Sequence, residues 1–196
     1  MVRGGDVLVS AARTGDQDAW RQLYALHARR LTVWLWSLPT IDAASSPEDI
    51  AAEAWLTAAT KIGQFHGSDD DFAGWLFTIA RNHAANTRRT AARRRTDPIA
   101  VEAATDADFG SVRDDLDPVD TQDATRALLA RLTPREAQVV ACIDVVGLDV
   151  AATATALGMK PTAVRVARHR ALGRLRRIML EDGSPHADAT GLPVTT

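Results

Sequence analysis

Apolar residues recur every three or four positions along most of this chain, and no convincing stretch alternates apolar with polar residues as a strand would. That spacing belongs to the α-helix, whose successive turns bring such residues onto one face. Trp20, Leu23, His27, Leu31, Trp34 and Leu38 form one stripe; Ile50, Ala54, Ala58, Ile62 and Phe65 form a second; Phe72, Leu76, Ile79 and His83 form a third. A fourth is expected at Ala124, Leu128 and Leu132. The fold class expected from this pattern is all-α, with the stripes buried against one another in compact bundles. The length of 196 residues, 46% of them hydrophobic, suffices for one ordinary domain or two small ones.

Start and stop signals divide the chain. In SSPED, Ser46 is a helix cap, Pro47 lies in the first turn, and Glu48 and Asp49 face the positive helix end. Thr133 caps a helix expected to run through LTPREAQVVACIDVVGL, with Pro134 first and Glu136 completing a capping box. Asp149 caps DVAATATALG, Gly158 ends it, and Pro161 opens the next helix. Between the halves, residues 96–120 are acidic, hold Pro98 and Pro118, and keep no apolar period, so they read as a flexible linker. The expected organisation is a helical domain at 1–95, the linker at 96–120, a second helical domain at 121–181 and a disordered tail at 182–196.

Charge is sorted along the chain although its net value is only −2. Arg81 to Arg95 carries six arginines and no acid, Asp97 to Asp123 carries nine acids against Arg113, and Lys160 to Arg177 carries seven basic residues and no acid. A solvated helix face normally mixes signs, so the two cationic blocks point to an anionic partner. The sharpest motif lies in the last block. Ala154, Gly158 and Val164 have the four- and six-residue offsets of a helix-turn-helix: a small residue where the helices touch, a left-handed turn residue, and a branched residue on the inner side. On the second helix Val164, Ala167, Ala171, Leu175 and Ile178 face inward. Arg165, Val166, His169 and Arg170 face outward in the first turns, the part that enters a major groove, and Arg174, Arg176 and Arg177 lie along the phosphates.

Other chemistries find little footing. The one cysteine, Cys142, permits no disulfide within the chain and fits a reducing compartment. No apolar run approaches the ~20 residues of a membrane span, and the amino terminus lacks a secretory stretch, so a cytoplasmic protein without membrane insertion is expected. His27 and His83 sit on apolar stripes as satisfied core histidines, and no cluster has metal-ligand spacing. With no phosphate loop or nucleophile elbow either, no enzyme, metal or cofactor is expected.

From about Asp6 to Met179 the chain resembles bacterial RNA polymerase sigma factors of the extracytoplasmic-function class, which have only the second and fourth sigma domains. SPEDIAAEAWLTAATKIGQFHG is similar to the helix that docks on the polymerase clamp, and the resemblance implies core-polymerase contacts at Asp49, Ile50, Glu53 and Leu56. FAGWLFTIARNHAANTRRTAARRR is similar to the helix that holds the single-stranded −10 element. There the resemblance implies contacts from His66, Gly67, Ser68, Trp75, Asn82, Asn86, Arg88, Arg89 and Arg93, with Trp75 the better fit to the core. The helix-turn-helix is similar to the domain that reads the duplex −35 element, implying contacts from Thr162, Arg165, Val166, His169, Arg170 and Arg174. The chain departs from the family pattern at Ala52, where a glutamine is common, at Ala167, where an arginine is common, at Arg168, a usually apolar place, and at Ile143 and Asp144, where a basic residue is common. Core RNA polymerase, promoter DNA and an anti-sigma factor are the partners implied. The acidic linker carries a separate expectation, that it lies against the cationic helices of the free protein. The competing reading is a stand-alone regulator that binds an operator as a dimer, which leaves the Arg81–Arg95 block without a task.

Overall fold

The computed structural model describes residues 7–38, 46–96 and 119–182, and among them every regular element is helical. The linker expected at 96–120 lies almost wholly outside the described residues, as does the tail after Asp182, so neither expectation meets an observation.

The first half contains α1 (Val7–Arg13), α2 (Gln17–Ser37), α3 (Pro47–Lys61) and α4 (Asp69–Thr96). Local chemistry fixes their starts. Asp16 caps α2 by accepting the N–H groups of Asp18 and Ala19, and Ser46 caps α3 from Glu48 and Asp49. Asp69 reaches back to α1, accepting the N–H of Leu8 at 3.1 Å and of Val9 at 2.8 Å. Trp34, Phe72, Phe77, Leu23, Leu31, Leu35 and Leu76 are fully buried at the centre, with Trp34 against Phe77 at 5.1 Å between ring centroids.

His27 joins this core 5.5 Å from the Phe72 ring, but it is not the satisfied histidine expected: its Nδ1 meets no hydrogen-bond partner among the described residues. Burial, and then the charge of Arg30, lowers its pKa from 6.5 to about 4. Between these values the unfolded chain binds the proton and the folded chain does not, so stability falls as pH drops from 6.5 towards 4. The full loss is about 3 kcal/mol at 1.36 kcal/mol per unit. Urea unfolding from pH 7 to pH 4 should show it, and His27→Leu should flatten that part of the curve.

The second half contains α5 (Val119–Ala130), α6 (Pro134–Val140), α7 (Val150–Leu157) and α8 (Pro161–Asp182). The capping box at Thr133 and Glu136 forms as read, and Gly158 ends α7 at φ 63°. Two local expectations change. The helix after Thr133 does not stay α: Ala141–Val145 is a π-helical turn, with Val146 N–H donating to Ala141 O five residues back. In α5 the buried position is Leu129 rather than Leu128, which is 39% exposed, so the stripe is one residue out of phase.

The two halves pack on each other. Helix α7 lies across α4, and its VAATATAL sequence keeps the side chains small enough for a close crossing. A Cβ at Gly74 of α4 would stand 2.9 Å from Ala152 O and 3.0 Å from Thr155 Cβ, so only glycine fits this crossing unmoved. Polar groups tie the seam: Thr78 Oγ1 donates to Thr155 O at 3.1 Å, and Arg30 donates to Val146 O and Gly147 O, each at 2.9 Å. Cys142 is fully buried here. Burial pushes its thiol up to about 12, against the opposing pull of Trp34 from α2 and Arg81 from α4.

Candidate nucleic-acid interface

Helix α4 is divided by its period. Gly74, Thr78 and Arg81 turn towards α7, while Asn82, Asn86, Arg88, Arg89 and Arg93 are exposed. Arg89 donates to Asn86 Oδ1 at 2.6 Å, which braces a guanidinium and an amide on the open face. A cationic face bearing amides suits a single strand, whose phosphates it tracks and whose bases it can bond.

Two of the three aspartates in the first turn of this helix are turned to local bonds. Asp69 is the cap on α1 described above. Asp71 accepts the Ser68 N–H at 3.0 Å and the Ser68 hydroxyl at 2.8 Å, and these bonds hold its carboxyl below the ordinary range. That box seats the loop at His66, which is exposed, and at Gly67 and Ser68, which are half-buried. Trp75 is half-buried and stacks on Phe65, with centroids 4.7 Å apart. One face of the ring is thus covered by Phe65.

On α8, Thr162, Arg165, Val166, His169 and Arg170 are exposed, and Val164 and Ala171 are fully buried beneath them. Arg174 leans inward, its Nε 3.6 Å from Glu136 Oε2. Burial raises the Glu136 pKa, but hydrogen bonds from Thr133 and the charges of Arg174 and Arg170 outweigh it and leave the group below its usual value. Two departures from the family pattern turn out to be one structure. Arg168 donates from Nε to Asp144 Oδ2 at 3.0 Å and from Nη2 to Oδ1 at 2.5 Å, so a fork replaces apolar packing there. Asp144 raises the Arg168 pKa through the same contact.

A third exposed surface lies on α3. Asp49 and Glu53 are exposed one turn apart, and Leu56 is 66% exposed beside them. Ile50 does not share this surface. It is 3% exposed, held in the core by the same stripe as Ala54 and Ala58, so its expected contact is corrected. Tyr24, which the sequence reading passed over, is 46% exposed and packs against Trp55 at 5.0 Å. Trp36, equally unmarked, donates to Glu48 at 2.7 Å. Both sit off the α2 stripe, and an aromatic off its stripe was the available signal.

Among the described residues no helix is long and apolar enough to cross a membrane. The Sigma-70 region 2 model matches residues 23–94, and the Sigma-70, region 4 model matches residues 122–175. Among curated proteins, the chain is 33% identical over 181 residues to the ECF RNA polymerase sigma factor ShbA of Streptomyces griseus, covering 87% of this chain and 93% of ShbA. It is 30% identical over 182 residues to the ECF RNA polymerase sigma factor BldN of Streptomyces coelicolor, covering 89% of this chain but only 66% of BldN. For SigD of Mycobacterium tuberculosis the figures are 30% over 176 residues, 87% and 82%. Among solved structures, CnrH in complex with the cytosolic domain of CnrY superposes with a TM-score of 0.64 at 23% identity, covering 91% of this chain and 97% of that one. The sigma factor RpoE of Bartonella quintana, in complex with the anti-sigma factor NepR, gives 0.56 at 21% identity, covering 85% and 99%.

Proposed function

The chain belongs to the extracytoplasmic-function family of RNA polymerase sigma factors, and from that premise we propose the division of labour among its three exposed surfaces. Asp49, Glu53 and Leu56 on α3, extended by Tyr24, dock on core RNA polymerase. The open face of α4, with Asn82, Asn86, Arg88, Arg89 and Arg93, takes the non-template strand of the −10 element, and the loop at His66, Gly67 and Ser68, with Trp75, receives an extruded base. The first two turns of α8 read the −35 duplex. The observation that carries this reading is the pairing of two cationic faces, on separate halves of one chain, with an acidic docking face that precedes both in sequence. The chain itself catalyses no chemistry; it lends polymerase a promoter address.

The closed arrangement adds a condition. Helix α8 packs on α7 and α7 on α4. At 8–10 Å per helix contact, the two reading helices lie within roughly 20 Å of each other. The −35 and −10 elements are about 25 base pairs apart by name, roughly 85 Å of duplex at 3.4 Å per base pair. One closed chain cannot engage both, so the halves must part on the polymerase. An anti-sigma factor, the kind of partner RpoE carries in its complex with NepR, would act by holding such surfaces covered.

Adding the purified chain to sigma-free core polymerase and mapping transcript 5′ ends on genomic DNA tests the reading. A shared pair of upstream elements is the expected result. Transcripts unchanged from core enzyme alone would contradict it.

A further inference from the structure

Glu53 is the acid on which the docking surface turns, and a glutamate on an exposed helix face ordinarily samples many rotamers. Ala52 beside it offers no polar side chain to steady it. The structure supplies a brace from another helix. His83 of α4 places Nδ1 3.0 Å from Glu53 Oε2 and Nε2 2.9 Å from Thr57 Oγ1, both partners lying one turn apart on α3. The His83 side chain is 26% exposed and Glu53 is 60% exposed. A neutral imidazole with its proton on Nδ1 satisfies all three groups: Nδ1–H donates to the carboxylate, and Nε2 accepts from the threonine hydroxyl. A ring with two torsions, half-buried and held at both nitrogens, is a stiff support. The remaining lone pairs of the carboxylate still face outward.

We propose that His83 is a positioning residue for polymerase docking, which holds the Glu53 carboxylate ready for a basic partner across the interface. The proposal rests on the docking reading above and deepens it. His83 lies on the helix that bears the −10 face, so this one ring joins the polymerase-binding and strand-binding surfaces. Its effect is preorganisation: the glutamate gives up its rotamer freedom on folding rather than on binding.

The test is a titration of the full chain into sigma-free core polymerase, with affinity read for five proteins besides the wild type. Ordering one such side chain is worth about two- to tenfold in affinity. His83→Leu is therefore expected to weaken core binding by about that factor. His83→Asn sets an amide N–H where Nδ1 stood and is expected to keep wild-type affinity, whereas His83→Gln reaches only the Thr57 side and is expected to be as weak as His83→Leu. In the Glu53→Ala background, His83→Leu is expected to add nothing. Equal affinities for the Asn and Gln variants, or an undiminished effect of His83→Leu without Glu53, would overturn the proposal while leaving docking intact. Wild-type affinity for Glu53→Ala would overturn the docking reading and this proposal with it.

Discussion

With alanine at both Arg165 and Arg170, the chain is expected to form holoenzyme normally yet to initiate about a hundredfold more slowly at a promoter that depends on its −35 element. Each arginine bonded to a guanine edge is worth about 1–3 kcal/mol, so the pair accounts for roughly 2–6 kcal/mol, or at least a thirtyfold change. Both side chains are exposed, and the residues that seat the helix, Val164 and Ala171, are fully buried and untouched. Stability should therefore change by no more than about 0.5 kcal/mol. Initiation assayed over a salt series separates the two ways an arginine can act. A base contact costs discrimination between promoter variants, whereas a phosphate contact lowers all of them together and reduces the salt slope by about one. A fall of less than about threefold would remove α8 from the −35 contact.

Gly74→Leu is expected to open the seam. The new Cβ would meet the Ala152 carbonyl oxygen at 2.9 Å, and that atom belongs to the backbone, so no side-chain rotation relieves the clash. Overpacking of this kind costs about 1–3 kcal/mol, which is about five- to 150-fold in the open population. Cys142 reports the result. Its thiol is sealed at the seam and pushed up to about 12, so the closed chain should react slowly with a thiol reagent. The variant should react faster by the same factor, about five- to 150-fold. Helix propensity alone argues the other way, since replacing a helical glycine stabilises α4 by up to about 1 kcal/mol. Unchanged reactivity would show that the halves are not held by this crossing.

Much of the molecule was legible in the sequence because its signals are local. Ser46, Thr133 with Glu136, Asp149 and Gly158 each act on a backbone group within three or four residues, and each forms as read. The stripes of α2 and α3 were equally plain, since large apolar residues at helical spacing have one place to go. Each misreading has its own cause. Leu128 and Leu129 are both apolar and adjacent, so the spacing of α5 could not choose between them; packing did. Ile50 was assigned to docking through the family likeness although its own stripe placed it inside. The π-helical turn after Val140 depends on where Val146 and Leu148 must be buried, a tertiary demand.

The seam escaped the sequence reading altogether. It is made by Gly74, Ala152, Thr155 and Thr78, small residues that carry little hydrophobic signal, and by Arg30, which bonds two carbonyls far along the chain. The brace at His83 escaped for the same reason. A histidine on a stripe reads as core, and only the distance to Glu53 gives it another role. The fork between Arg168 and Asp144 was visible as two separate departures, which the fold brings together. The cationic character of the α4 and α8 blocks was readable from the start, because the absence of acids from them is a property of composition alone.

The two cationic surfaces are expected to reach one promoter only when polymerase holds them apart. Protection of a promoter duplex from cleavage, with the chain alone and with the chain on core enzyme, tests this most directly. The expected result is no sequence-specific protection by the chain alone, and with core enzyme two protected elements about 25 base pairs apart together with reactive, unpaired bases at the downstream one. Protection of a two-fold symmetric duplex by the chain without polymerase would contradict it.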